Sequence, residues 1–162
     1  MELLHQLHER LRPVKLSAER EDIVMWKFDN KVGRVNTKER LARLGVHIQS
    51  DSACVLCTKE TESAEHLFLR CEVTWQVWCH WVLSFRREWV IPGTIKDLFE
   101  SWRGMHNRQQ RQKVWMTAFF AVIWNIWLER NARIFNNTRA SIEGIQTKTV
   151  LSYTEWCGWN PL

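Results

Sequence analysis

A single tyrosine, no Asp-Asp pair, no Gly-x-Ser-x-Gly and no apolar run of membrane-spanning length mark this 162-residue sequence by what it leaves out. Without clustered aspartates there is nothing to hold two metal ions for in-line displacement. Without Gly-x-Ser-x-Gly there is no nucleophile elbow, and no other nucleophile arrangement takes its place. The longest apolar stretch, Val114 to Leu128, is interrupted by Thr117 and Asn125. It falls short of the roughly 20 residues a span requires, so a buried helix and no membrane partner are expected. Met1 leads into Leu3, Leu4, Leu7 and Leu11 with charges between them, which predicts an amphipathic helix and not a secretory leader. The chain is therefore expected inside the cell, in nucleus or cytoplasm, and not secreted. Neither repeats, nor a low-complexity linker, nor a clearly alternating strand can be found, so the expected class is mainly α.

What is present is tryptophan: eleven residues, beside 45% hydrophobic and 25% charged content. Each buried indole brings a large apolar area and an N–H that needs an acceptor, so most of these rings are expected in the core. The length suits one domain with a real core. A net charge of +5 and a pI near 9.1 permit binding to nucleic acid without requiring it. Five cysteines are an odd set. In a reducing compartment, closely spaced cysteines point to metal more than to disulfides.

Helices are expected at residues 2–12, ending at Pro13, and from Asn36, with a capping box to Glu39, to Gly45, anchored by Leu41 and Leu44. A longer helix should run from Ser63 through His66 to about Trp89, with Trp78, Trp81, Val82 and Phe85 on its buried face. A short helix follows the Thr94 cap and stops near Gly104. The next, about 107–136, is apolar nearly all round and should sit at the centre. Ser141 caps a last helix to Trp156. The organisation expected is a poorly defined N-terminal segment at 1–35, a zinc-binding region at 36–90, and a C-terminal helical region at 91–162 packed on it.

The chemistry lies in Cys54-x2-Cys57, eight residues, His66, four residues and Cys71. Cys-x2-Cys lets two thiolates of one tight turn reach the same tetrahedral ion, and His66 and Cys71, five positions apart at a helix start, can close it. Four such ligands leave no open position, which describes a structural zinc site. Cys79 and His80 are rival ligands, but Cys79 sits within the Trp-rich helix and is better explained as a small buried residue. Cys157, His5, His8, His47 and His106 have no ligand-like neighbours. The polar loop buries little by itself, so metal binding on the order of 10 kcal/mol is expected to set its structure.

These residues also resemble a family. Asn36-Thr37-Lys38-Glu39-Arg40-Leu41-Ala42-Arg43-Leu44-Gly45, then Cys54-Val55-Leu56-Cys57, then Glu62-Ser63-Ala64-Glu65-His66-Leu67-Phe68-Leu69-Arg70-Cys71 and Trp78 are similar to the zinc-binding domain of plant LINE-type (non-LTR) reverse transcriptases. The segment Trp124-Asn125-Ile126-Trp127-Leu128-Glu129-Arg130-Asn131-Ala132-Arg133-Ile134-Phe135 resembles the tail of the same proteins. Family members usually carry a Pro within the Cys-x-x-Cys and a Gly just after it, where this chain has Val55 and Thr58. A Trp- and Pro-containing segment between Gly33 and Arg34 is missing, so the chain looks like an internally shortened copy. The resemblance implies a non-catalytic module that binds RNA or DNA. Lys31, Arg34, Lys38, Arg40 and Arg43, with Lys59 on the loop, are the candidate phosphate contacts. The alternatives are a structural or protein-interaction zinc domain, self-associating through its Trp-rich helices, and a decayed fragment without selected function. No small-molecule substrate is expected.

Overall fold

The computed structural model describes residues 35–45, 51–85, 88, 90, 92–104 and 109–157, all within one compact unit, Val32–Leu162. The helix expected at 2–12 lies outside these residues. The described part is mainly helical, as the sequence predicts: α1 (Lys38–Arg43), a π-helical turn (His66–Arg70), α2 (Glu72–Ser84), α3 (Ile95–Gly104), α4 (Gln109–Phe135) and α5 (Ile142–Trp156). Among these residues the only extended pairing is one isolated antiparallel bridge, Ala53 to Thr61.

Helix α4 is the hub, packing against α5, α3, α2 and the π turn. Trp115, Ala118, Phe119, Ala121, Val122 and Ile126 on it are buried. Asn125, in its less apolar row, meets α5, donating through Nδ2 to Ala121 O at 2.8 Å and to Ser152 Oγ at 2.9 Å. The polar side chain thereby satisfies itself inside an apolar contact. Among the described residues no helix is long and apolar enough to cross a membrane.

The tryptophans build the core in the manner their chemistry requires. Trp78, Trp81, Trp102 and Trp115 are buried, Trp75, Trp124 and Trp127 half-buried, and Trp156 exposed. Trp102 and Trp115 stack at 4.4 Å, and each indole N–H donates to the other's backbone carbonyl, at 3.0 and 2.8 Å. That reciprocal pair joins α3 to α4. Trp81 donates to Thr149 Oγ1 at 2.8 Å and joins α2 to α5.

Three expectations need correction. The cap of α1 is Thr37, whose hydroxyl accepts from Arg40 N at 3.4 Å, and not Asn36. Leu44 does not anchor that helix; it is 61% exposed, and the buried positions are Thr37 and Lys38. Gly45 does end it, at φ 75, a conformation only glycine adopts without cost.

The third concerns the helix expected from Ser63 to Trp89, which is not continuous. Ser63 Oγ accepts from His66 N at 2.9 Å and starts a helical turn at Ala64. The turn then widens, closing with Cys71 N to His66 O at 2.7 Å, and the backbone becomes extended at Cys71 before α2 begins. Widening the turn lets His66 and Cys71, more than one ordinary turn apart, face one point. The carbonyls it releases are taken up by α2: Thr74 Oγ1 donates to Leu67 O at 2.7 Å and Trp78 Nε1 to Phe68 O at 2.9 Å. Helix α2 then stops at Ser84, ahead of Trp89.

Candidate metal centre

The loop that carries the first two cysteines is held by its own backbone. Cys54 N donates to Glu60 O at 2.7 Å, Glu62 N to Ser52 O at 2.9 Å and Thr58 N to Cys54 O at 2.7 Å. These bonds fold 52–62 into a narrow turn with Cys54 and Cys57 on its inner side. Thr58 follows with φ 60, a left-handed conformation that is strained for a β-branched residue.

Cys54, Cys57, His66 and Cys71 converge: one donor atom from each lies within 4.8 Å of all the others, and all four residues are buried. A tetrahedral zinc with thiolates at about 2.3 Å spaces its donors about 3.8 Å apart, so small adjustments of these side chains satisfy it. Cys57 Sγ already lies 3.2 Å from His66 Nε2. The opposite ring nitrogen, Nδ1, meets Glu60 Oε2 at 3.1 Å, the carboxylate–histidine arrangement that orients an imidazole for metal. Three thiols and one imidazole, the members of this group among the described residues, fit a structural zinc ion. Cys79, His80 and Cys157 do not join the group. His5, His8, His47 and His106 lie outside the described residues.

Electrostatically, the thiols are already poised to give up protons unequally. The hydrogen bond with Cys71, reinforced by burial, pushes the Cys54 thiol far above its ordinary range. The same bond holds Cys71 below its ordinary value, with the backbone N–H groups of Thr74 and Val73 assisting.

A second network ties this turn to the rest of the protein. Glu62 is fully buried and accepts from Lys38 N at 3.1 Å and Val55 N at 3.4 Å, and from Arg130 Nη2 at 2.9 Å and Nε at 3.2 Å. Arg130 also donates to Asn36 O at 3.1 Å and lies over the Trp127 ring at 5.0 Å. One carboxylate thus fixes the start of α1, the Cys-x-x-Cys turn and α4 together. Glu60, Glu62 and Arg130 carry no role legible from spacing, although Glu62 and Arg130 fall within the motifs quoted above. Buried pairing far apart in sequence left no spacing signal to find.

The basic candidates are dispersed in role. Lys38 is buried, its ammonium donating to Ala53 O at 2.7 Å and meeting Asp51 at 3.4 Å, so it holds the loop onto α1. Arg43 is exposed and pairs with Glu39 at 3.7 Å, and Lys59 is exposed and pairs with Glu72 at 2.7 Å. Arg40 is half-buried on α1. Lys31 and Arg34 lie outside the described residues.

Comparison with known proteins agrees with this geometry. The model of a family described as zinc-binding in reverse transcriptase matches residues 15–78, which include all four ligand candidates. The match supports a reverse-transcriptase zinc-binding domain over that stretch; it ends inside α2, so α3, α4 and α5 lie beyond it. Neither a curated protein nor a solved structure matches the chain.

Proposed function

We propose that this chain is a non-catalytic zinc-binding module, related to the region that accompanies plant LINE-type reverse transcriptases, and that it binds RNA or DNA through basic residues beside the metal loop. The observation that carries the zinc reading is the closure of Cys54, Cys57, His66 and Cys71 into one buried group. Four protein ligands leave no coordination position for water or substrate, which separates a structural ion from a catalytic one. When bound, the ion supplies cross-linking of the loop to the start of α2 and no reaction chemistry.

The nucleic-acid reading rests on Arg40, Arg43 and Lys59, with Lys31 and Arg34 close in sequence. Surface ion pairs such as Arg43–Glu39 and Lys59–Glu72 are worth little and exchange readily for phosphate. Lys38 serves the loop's structure instead. The decisive experiment has two parts. Elemental analysis of protein purified without added zinc should give one zinc per chain, with Cys54, Cys57 and Cys71 becoming reactive to thiol reagents only after chelation. Titration of single-stranded oligonucleotides should then show the logarithm of the affinity falling linearly with the logarithm of salt concentration, with a shallower slope when Arg40, Arg43 and Lys59 are all changed to Gln. Absence of bound metal would sink the first part. Salt-insensitive self-association without oligonucleotide affinity would replace the second by protein interaction, a reading favoured by the exposed Phe135, Leu151 and Trp156.

A further inference from the structure

Arg133 lies on α4, sixty-odd residues past the last metal-ligand candidate and beyond the matched stretch. Its side chain is only 8% exposed, and each of its three guanidinium nitrogens donates. Nη1 donates to Leu56 O at 2.9 Å and Val55 O at 3.3 Å, Nε to Glu129 Oε1 at 2.8 Å, and Nη2 to Ala140 O at 3.4 Å. Glu129, also buried, takes Ala140 N on the same oxygen at 2.9 Å. A planar fork held at one edge by a carboxylate can present its other edge in only one direction. Here that direction is the turn between Cys54 and Cys57.

Val55 and Leu56 are the two residues between those cysteines, and which ends of their peptide units Arg133 holds matters. The carbonyl of Val55 shares a peptide plane with the N–H of Leu56, and that of Leu56 shares one with the N–H of Cys57. Those two N–H groups are the ones that hydrogen-bond the Cys54 sulfur. Arg133 therefore grips the carbonyl ends of the two peptide units whose N–H ends face a ligand thiolate. It fixes their orientation and, by polarising them, strengthens what they donate. Glu129, which orients it at 2.8 Å, also meets Lys148 Nζ at 3.8 Å through its other oxygen.

We propose that Arg133, oriented by Glu129, is a positioning residue of the zinc site, through which α4 sets the geometry of the Cys-x-x-Cys turn. The proposal rests on the zinc reading above and assigns a role to the Glu129–Arg133 part of the tail segment that the ligand pattern leaves unexplained. It makes zinc binding and the Glu129–Arg133 arrangement on α4 energetically linked, and that linkage is reciprocal.

The test uses the full chain as wild type and as Arg133→Met, Arg133→Lys and Ser141→Ala variants. Each is measured for zinc affinity by chelator competition and for the pH at which the cobalt-substituted protein develops its thiolate-to-cobalt absorption. Arg133→Met should weaken zinc by about 10–100-fold, as loss of a group supporting the ligands does, and move the absorption onset to higher pH. Arg133→Lys, able to reach one carbonyl but not to fork, should recover part of both. Ser141→Ala, which only uncaps α5, should lower the melting temperature and leave both site readouts unchanged. Hydrogen exchange of the wild type should show the 129–140 segment losing protection together with 51–71 when zinc is removed. Wild-type zinc affinity and onset pH in Arg133→Met would overturn the proposal while leaving the zinc reading intact. If Arg133→Met does not fold, the same two readouts at wild-type values in Arg133→Lys would overturn it. A wild type that binds neither metal removes both readings at once.

Discussion

At the scale of single residues, Thr58 and the Cys54–Cys71 pair are where the loop's chemistry is most exposed to test. Thr58 holds φ 60, and its hydroxyl donates to Cys57 O at 2.6 Å, a local bond that offsets only part of the strain. Replacing it by glycine removes a penalty of roughly 1–2 kcal/mol for an L-residue in the left-handed region, against a smaller gain in unfolded-chain entropy. Thr58→Gly should therefore stabilise the protein by about 0.5–1 kcal/mol, read as a higher urea midpoint at unchanged slope. An unchanged or lower midpoint would mean the turn relaxes. The thiols give a pH prediction of definite sign. Cys54 lies above its ordinary range in the metal-free protein and keeps its proton at neutral pH, whereas a zinc-bound thiolate has none. Zinc uptake must release that proton, so apparent affinity rises with pH and falls in acid. Titration calorimetry at pH 7 in buffers of different ionisation enthalpy should report net proton release of at least about one per zinc; proton uptake would contradict the assignment.

Elements are joined here by tryptophan N–H groups as much as by apolar contact. Trp81 on α2 reaches Thr149 on α5, and Thr149 Oγ1 in turn donates to Gln146 O at 2.7 Å. Thr149 is fully buried, so Thr149→Val keeps the shape and leaves an indole N–H without an acceptor. The expected loss is about 1–3 kcal/mol, measurable by denaturant unfolding, with no change in zinc content. If zinc content fell as well, the α2–α5 contact would be part of the metal site's support and not only of the core. The caps at this scale were largely legible. Ser141 caps α5 through Gly144 N at 3.1 Å and Thr94 caps α3 through Asp97 N at 3.1 Å, both where the sequence signals placed them. The π turn was not, because an inserted residue leaves hydrophobic spacing almost unchanged while moving His66 relative to Cys71.

For the whole molecule, two supports of the fold can be separated. The stacked Trp102–Trp115 pair, Trp78 and Phe119 form an apolar centre among α2, α3 and α4 that owes nothing to metal. The loop at 51–62 has little apolar area and depends on the ligands, on Glu62 and on Arg133. Chelation should accordingly lower the melting temperature by several degrees and open the loop to thiol reagents, while far-ultraviolet circular dichroism keeps most of its helical signal. Collapse of the helical signal on chelation would show that the core cannot stand without the ion.

The sequence by itself picked out the four residues that converge, the mainly α class, the central place of α4 and the need of each buried indole for a partner. All of these follow from residue type, local spacing and periodicity, which are properties of short stretches of chain. Tertiary structure alone decided that Lys38 is a buried strut, that Leu44 faces outward, that Glu60 orients His66, and that Glu62, Arg130 and Arg133 bind the metal loop to a helix far along the chain. Those roles come from charges and carbonyls meeting across dozens of residues in a low-dielectric interior, where burial makes a partner obligatory but sequence distance does not say which partner it will be.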